Sequence, residues 1–546
     1  MGGATARSQT PGTLAIPARD AAIKTEGGPV PGGWNLWSNG RVGQRVEVPR
    51  TGDYMVVVRA WGSPAAGTWP ELALLVDELE VQSLTVDRDR PADYRFRVRL
   101  EAGPHELAAA FTNDAKSGRE DRNLYLESLA ISSPPGTPAS TLISGKPDPA
   151  VAERKELALV RDTEREIEQN RKSDLTIRAL DPDGNPVAGV RVSASLTNHE
   201  FLFGCNIYGF GQSRSEAENH AYQERFAELF NYATVGFYWR WYEPRRGQPR
   251  YHSTDEVVAW CLDHGIKMKG HPLLWGDQAG IPDWSAGQPD AATRRARVEA
   301  IMGRYRGRIG FYEVVNEPSH LPLPEIDEPY RWARAADPDA YLIVNDYHVL
   351  ADGTPSFYRL LAKAIASGVP FDGVGIQAHE PRTMRFPLDR VRAVLDRYSA
   401  LDKELHITEF TPASSGARIT GSHLKGVWDE AVQADYAEKF YRVCFAHPAV
   451  RAITWWDLSD QHSWLKGGGM LHADMSPKPV YEQLRRLIRQ EWTTHVQGTT
   501  DASGRYTFRG FRGTYRIKAE VAGKNLERTV TLGKRAPGMI DLTLRR

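Results

Sequence analysis

The sequence predicts an α/β fold: an eight-stranded barrel, preceded by a β-sandwich and accompanied by a second, smaller sandwich split across the barrel's two flanks. Three observations carry this. The chain has 546 residues, about three to four times an ordinary domain. Residues 200–490 alternate short apolar runs with amphipathic helical stretches, the pattern of a parallel sheet with crossover helices. The flanks instead show short alternating runs set off by turn residues, the pattern of antiparallel sheets.

Taken in order, residues 20–133 read as the first sandwich. Runs at Tyr54 to Ala60, Leu72 to Val76, Tyr94 to Leu100 and His105 to Phe111 are separated by Pro49-Arg-Thr-Gly-Asp53, Asp87-Arg-Asp-Arg-Pro91 and Ala102-Gly-Pro104. Residues 134–172 read as a linker, rich in Pro and Ser up to Lys146-Pro-Asp-Pro149, followed by a charged helix from Val151 to Arg171. Residues 173–199 hold two strands around the turn Asp181-Pro-Asp-Gly184, and 491–546 resume the same style. Neither piece alone has enough strands to bury a face, so together they predict one split sandwich.

Within 200–490, eight strands are expected near Phe201–Cys205, Tyr232–Val235, Ile266–Gly270, Phe311–Val315, Tyr341–Val344, Gly373–Ile376, Leu405–Thr408 and Ala452–Thr454. Eight such units in about 290 residues match a (β/α)8, or TIM, barrel. After the second strand, Ser253-x-x-Glu256 reads as a capping box, with Val257, Val258, Cys261 and Leu262 on one face and Gly265 at the end.

Composition excludes several classes of function. The 69 basic and 69 acidic side chains cancel and form no block of one sign, which argues against a nucleic-acid partner. Apolar runs stop well short of the roughly 20 residues that span a bilayer. Cys205, Cys261 and Cys444 lie far apart, without the spacing of a zinc ribbon, and Cys261 reads as a buried structural thiol. The first residues, Met-Gly-Gly-Ala-Thr-Ala-Arg-Ser, contain no apolar stretch of signal-peptide length. Aromatic content is the positive clue. Of fifteen tryptophans, four fall at Trp34, Trp37, Trp61 and Trp69, ten lie from Trp239 to Trp464, and Trp492 stands alone.

Barrel enzymes carry their reactive groups where strands end. Those positions hold Gly270-His-Pro-Leu-Leu-Trp275, Val315-Asn-Glu-Pro318, Asn345-Asp-Tyr347, Gln377-Ala-His379, Thr408-Glu-Phe410 and Trp455-Trp-Asp457, with Trp464 beyond. Two glutamates on the fourth and seventh strands suit glycoside hydrolysis. One carboxylic acid protonates the leaving oxygen, and one carboxylate attacks the anomeric carbon. That chemistry takes no metal or cofactor. Glu317 is the expected acid, its pKa raised by partial burial and by the charge of Glu409. Asn316 is placed to bond a sugar hydroxyl, His379 to orient Glu409, and the indoles to stack on sugar rings.

These segments, with Val314-Val-Asn-Glu317, Asp372-Gly-Val-Gly-Ile-Gln-Ala-His379 and Ile407-Thr-Glu409, make residues 200–490 resemble glycoside hydrolase family 10, mostly endo-β-1,4-xylanases. The resemblance implies a retaining mechanism with Glu317 as acid/base and Glu409 as nucleophile. It also implies a substrate site lined by His271, Trp275, Asn316, Tyr347, Gln377, His379, Trp456 and Trp464. Two departures stand out. The family's usual Glu-Asn-x-Met-Lys-Trp after strand two is here Gly236-Phe-Tyr-Trp-Arg-Trp241, which removes part of a polar grip on the sugar. Gly276 stands where the third-strand segment usually ends in His.

Residues 20–133 resemble the calcium-dependent xylan-binding modules of carbohydrate-binding families 36 and 60, through Gly67-Thr-Trp-Pro-Glu71, Val76-Asp77, Phe111-Thr-Asn-Asp114 and Glu120-Asp-Arg-Asn-Leu-Tyr125. This implies calcium held by Asp114, Glu120 and Asp121, with Trp69 as a sugar contact. The expected protein is therefore a secreted endo-xylanase whose partner is a plant cell-wall polysaccharide. Its rivals are the same mechanism on another or a decorated β-glycan, and a non-catalytic glycan-binding protein.

Overall fold

The computed structural model describes residues 12–544, apart from 78, 115, 118–119, 144–148, 321–325, 351–355, 380–383, 522–523 and 535–537. Residues 144–148 of the expected linker thus lie outside the described residues. The chain divides into two compact units, one holding residues 1–147 and the other nearly all the rest.

In the first unit, two antiparallel sheets face one another. One runs, in spatial order, through Gly28–Val30, Gly33–Leu36, Asn123–Ser132, Gly52–Ser63 and Ala92–Leu100; the other through Thr141–Leu142, Gly40–Val48, Gly103–Phe111, Glu71–Val76 and Leu79–Thr85. Period-two alternation explains the pairing: from Tyr54 to Ala60 every second residue is buried, and these meet Leu72, Leu74, Phe96, Leu107 and Leu124 in one core. The module begins earlier than expected, because Thr13–Pro17 adds a strand with Leu14 opposite Ile131. Five residues ending in Pro carry too little alternation to be read as a strand.

The second unit is built around the barrel. Its strands are β1 Leu202–Asn206, β2 Tyr232–Gly236, β3 Lys267–His271, β4 Phe311–Asn316, β5 Tyr341–Asp346, β6 Gly373–Ala378, β7 Glu404–Phe410 and β8 Val450–Trp455. Each pairs in parallel with the next, and β8 returns to β1. The strands are buried almost end to end, as sheets covered on both faces must be. The β3–β4 seam is short and is extended by Leu274–Trp275 against Val315 and Asn316.

The helix after β2 departs from expectation. It spans Tyr251–Asp263 with no side-chain cap, so Ser253 lies inside it, and Leu262 is 47% exposed. Gly265 does end it, at a φ of 65° that suits glycine. Cys205, Cys261 and Cys444 are buried and unbridged, and burial pushes the Cys261 thiol up to about 12, as an inert structural group requires.

Strands from both flanks pair beside the barrel. Lys172–Leu180 lies between Arg505–Phe511 and Met539–Thr543, while Arg191–His199 lies between His495–Thr499 and Gly513–Val521, with Lys524–Leu532 outside. Leu175, Ile177, Val192, Tyr515, Ile517 and Leu542 fill the space between the two sheets. The charged helix, Pro149–Arg171, packs on the barrel through an ion pair. Arg385, with no exposed surface, donates to both Glu156 oxygens at 2.6 and 2.7 Å. At the helix end, the buried Arg171 donates from Nη2 to the carbonyls of His447 and Val450 at 2.6 and 2.7 Å. Among the described residues no helix is long and apolar enough to cross a membrane.

Candidate active site

The C-terminal ends of the strands open into a cavity of about 1020 Å³. His271, Trp275, Asn316, Glu317, Tyr347, Gln377, His379, Glu409, Trp456 and Trp464 all line it. Barrel sites occupy this end because the loops there vary without disturbing the packed interior.

Backbone irregularities aim the carboxylates. Register slips between Ile376 and Gln377, so that Gln377 pairs with Glu409 across β6 and β7. Glu317, one residue past β4, has a φ of 57°, rare for a side chain of this size. Its amide donates to the Asn345 carbonyl at 2.9 Å, which holds the turn.

Each glutamate is then fixed by named donors. Glu317 accepts from Trp275 Nε1 at 2.8 Å and from Gln377 Nε2 at 2.9 Å. Glu409 accepts from Asn345 Nδ2 at 3.0 Å, and His379 Nε2 lies 3.5 Å from its second oxygen. The same His379 nitrogen sits 3.0 Å from Gln377 Oε1, so an amide and an imidazole link the two carboxyls. Asn345 is fixed by Thr408 Oγ1, which donates to its Oδ1 at 2.5 Å. Asn345 also donates to Asn316 Oδ1 at 2.8 Å, which leaves Asn316 its amide nitrogen as a donor.

The surroundings of Glu409 disfavour its charged form. Burial, with the charges of Glu313 and Glu317, pushes its carboxyl well above the ordinary range, against Lys269 and the Asn345 hydrogen bond. Glu409 is the more enclosed carboxyl, 4% exposed against 9% for Glu317. The charge of Glu317 is among the causes of that rise, so ionisation of one carboxyl disfavours ionisation of the other.

Beneath them His271, expected in the site, is joined by Lys269 and Glu313, which were not expected there. Lys269 Nζ donates to Glu313 Oε1 at 2.5 Å, and His271 Nδ1 bonds the other Glu313 oxygen. All three are at most 1% exposed. Burial alone would raise the Glu313 carboxyl, but Lys269 and His271 hold it down to about 2. Burial lowers the His271 pKa, so its ring is neutral. An ionised carboxylate only accepts, which puts the ring proton on Nδ1 and turns the Nε2 lone pair outward as an acceptor. Alternation along β3 and β4, with Lys269 and His271 on one face, is the signal that marks this group.

Aromatic rings floor the cleft. Trp456 meets His271 at 5.4 Å and Trp464 meets His379 at 4.8 Å between centroids. Tyr347 stacks on His320 at 3.9 Å. Asn206, Tyr208, Tyr238, Trp241 and Asp457 also line the cavity; Asn206 and Tyr208 lie outside the motifs picked out in the sequence, and the other three were picked out there without a role of their own. Burial raises the Asp457 pKa; the side chain accepts from Asn206 Nδ2 at 3.1 Å and from the Trp464 amide at 2.8 Å, which fixes the loop carrying Trp464.

In the first unit, Asp114, Glu120 and Asp121 do not gather as the expected calcium cage. Among the described residues, only His271, Glu313 and Glu409 bring three such ligand atoms within 4.8 Å. Glu120 instead accepts from the Ala66 amide at 2.8 Å. The loops there are ordered by buried Arg122, which donates to the carbonyls of Thr68 and Ala65 at 2.9 and 2.8 Å. Half-buried Trp69 accepts at its carbonyl from Asn113 Nδ2 at 3.0 Å. These described side chains do not fit a three-carboxylate site.

A closed parallel barrel with two buried, cross-linked glutamates in an indole-lined cleft defines a glycoside hydrolase. Comparison with known proteins narrows the class. Residues 196–321 and 325–487 match Glycosyl hydrolase family 10, and residues 55–140 match the Ca-dependent carbohydrate-binding module xylan-binding. The chain belongs to glycosyl hydrolase family 10. It is 29% identical over 392 residues to the Anti-sigma-I factor RsgI6 of Acetivibrio thermocellus (69% of this chain, 49% of that protein). It is 28% identical over 369 residues to the Endo-1,4-beta-xylanase 2 of Arabidopsis thaliana (64% and 32%), so the chain spans about half or less of these two relatives. To Endo-1,4-beta-xylanase B of Thermotoga neapolitana it is 28% identical over 349 residues (58% and 96%). The structure of xylanase 10B from Thermotoga petrophila RKU-1 in complex with xylobiose aligns at 25% identity and a TM-score of 0.46, covering 54% of this chain and 95% of that one.

Proposed function

We propose that this protein is a retaining endo-β-1,4-xylanase. The observation that carries the reading is the pair Glu317 and Glu409, buried at the barrel mouth and linked through Gln377 and His379. In the first step a proton carried on Glu317 passes to the glycosidic oxygen as the C–O bond breaks. Glu409 attacks the anomeric carbon, forming a glycosyl ester and releasing the sugar chain on the leaving side. The hydrogen bond from Asn345, the His379 contact and the charge of Lys269 favour the ionised form of Glu409 that attack requires. In the second step Glu317 takes a proton from water, whose oxygen displaces Glu409, and the substrate's original β configuration is restored.

Time-resolved product analysis on xylan and on a panel of other β-glycans tests this. Xylo-oligosaccharides of mixed length, first appearing as the β-anomer, are the expected outcome. An α-anomer first would overturn retention. A second reading, the same chemistry on another or decorated β-glycan, is favoured by the aromatic strand-two segment and predicts cleavage elsewhere in the panel but not of xylan. Binding without any cleavage would support the non-catalytic rival.

We further propose four functional segments: residues 20–133 with their added strand as a xylan-binding module, the helical connector, the catalytic barrel, and the split sandwich as its support. In a secreted enzyme, tethering to the polymer raises the local concentration of cleavable bonds. Calcium enters this reading only through the family description of residues 55–140. Titrating catalytically silenced protein with xylohexaose in chelator, then after restoring calcium, tests it. Loss and recovery of the module's share of binding support the metal, and equal binding in both removes it.

A further inference from the structure

The four-residue helix Trp239–Tyr242 follows β2 and sends its aromatic side chains to opposite fates. Trp239 and Tyr242 are buried, whereas Trp241 is 57% exposed. The turn itself is fixed on several sides. Trp239 Nε1 donates to Glu243 Oε2 at 2.8 Å, and Trp284 Nε1 donates to the Glu243 carbonyl at 3.0 Å. The Arg297 guanidinium lies over the Trp239 ring at 4.6 Å and donates to the Leu273 carbonyl at 2.8 Å. Arg240 is occupied by Asp283 at 2.6 Å.

What this clamp leaves outside is one indole, lining the same cavity as Trp464, itself 55% exposed. The aromatic floor is continuous between the reacting groups and this point: His271 to Tyr238 is 5.6 Å, and Tyr238 to Trp241 is 5.7 Å between centroids. A large apolar side chain held in water on so constrained a turn gains nothing from the fold's own core. It offers a flat, preorganised face whose use costs little ordering entropy. The chemistry that recognises such a face is a neutral pyranose whose ring substituents are equatorial, because its axial C–H groups then form an apolar surface.

We infer that Trp241 is a sugar-stacking subsite at the β2 end of the cleft, where ring-face stacking holds the neutral chain. This rests on the reading of the cleft as a xylan site. The experiment compares full-length wild type, Trp241→Ala and Trp241→Phe on xylohexaose and on an aryl β-xyloside too short to span the floor. Trp241→Ala is expected to lose about tenfold in kcat/KM on xylohexaose, carried by KM, with a loss several times smaller on the short substrate. Trp241→Phe is expected to recover most of it.

Equal losses on both substrates, a fall in kcat at constant KM, or an unchanged KM on xylohexaose overturns the subsite. A wild type that cuts no xylo-oligosaccharide overturns the xylanase reading, and the subsite with it; a wild type that cuts them while the variants show any of those three patterns overturns the subsite alone.

Discussion

Replacing Glu409 with Gln is expected to lower glycan hydrolysis on the order of 10⁴-fold or more, the scale on which removal of a covalent nucleophile acts. The substitution keeps the shape and an oxygen for Asn345 to bond, so thermal unfolding should stay within about 2 °C of the wild type. It removes the oxygen nucleophile, and with it the glycosyl ester. It also removes the charge that Glu317 faces. Steady-state assays on xylan, with calorimetric unfolding alongside, check both halves. Residual turnover above about one per cent would deny Glu409 its role.

The second large effect is structural first and catalytic second. Replacing Lys269 with Met strips the buried Glu313 carboxylate of one of its two partners, and breaking a buried pair from one side costs about 3–5 kcal/mol. Urea unfolding at neutral pH measures this. The pH dependence has a definite sign. Glu313 is held down to about 2 from an ordinary 4.5, so its stabilisation is fully present above pH 4.5 and is lost as pH falls toward 2. Without Lys269 that loss begins at higher pH. Lys269 also lowers the Glu409 pKa, so in the variant Glu409 stays protonated to higher pH. The acidic limb of kcat/KM against pH should move upward; an unmoved limb would separate Lys269 from the reacting pair.

The eight strands, their order and the main lining residues of the cleft were legible because most of the strands carry short apolar runs and the lining residues follow at their C-terminal ends. What was not legible is what depends on partners remote in sequence. Glu156 reads as one more surface charge until Arg385, 229 residues away, is folded against it. Glu313 reads as a strand residue until Lys269 and His271 arrive from the neighbouring strand. The tryptophan excess was only partly a sugar signal. Trp428, Trp455 and Trp492 are 2% exposed or less, and Trp492 stacks on Phe445 at 4.2 Å. Composition cannot separate an indole that fills a core from one that faces a cleft. Nearness in sequence likewise put Asp114, Glu120 and Asp121 in one expected group, yet Glu120 accepts from the Ala66 amide instead.

The split sandwich bears on the barrel's closure as well as its support. Its strands pair Arg191–His199, just before β1, with Gly513–Val521, beyond β8, and Lys172–Leu180 with Arg505–Phe511. A barrel's first and last strands meet at a seam that no covalent crossover spans. Here the chain on either side of that seam is knotted into a common sheet pair, a buckle that keeps both ends of the belt together. Parting β1 from β8 then requires undoing the buckle too, and the loop-closure entropy that re-pairing would cost is already spent while the buckle holds.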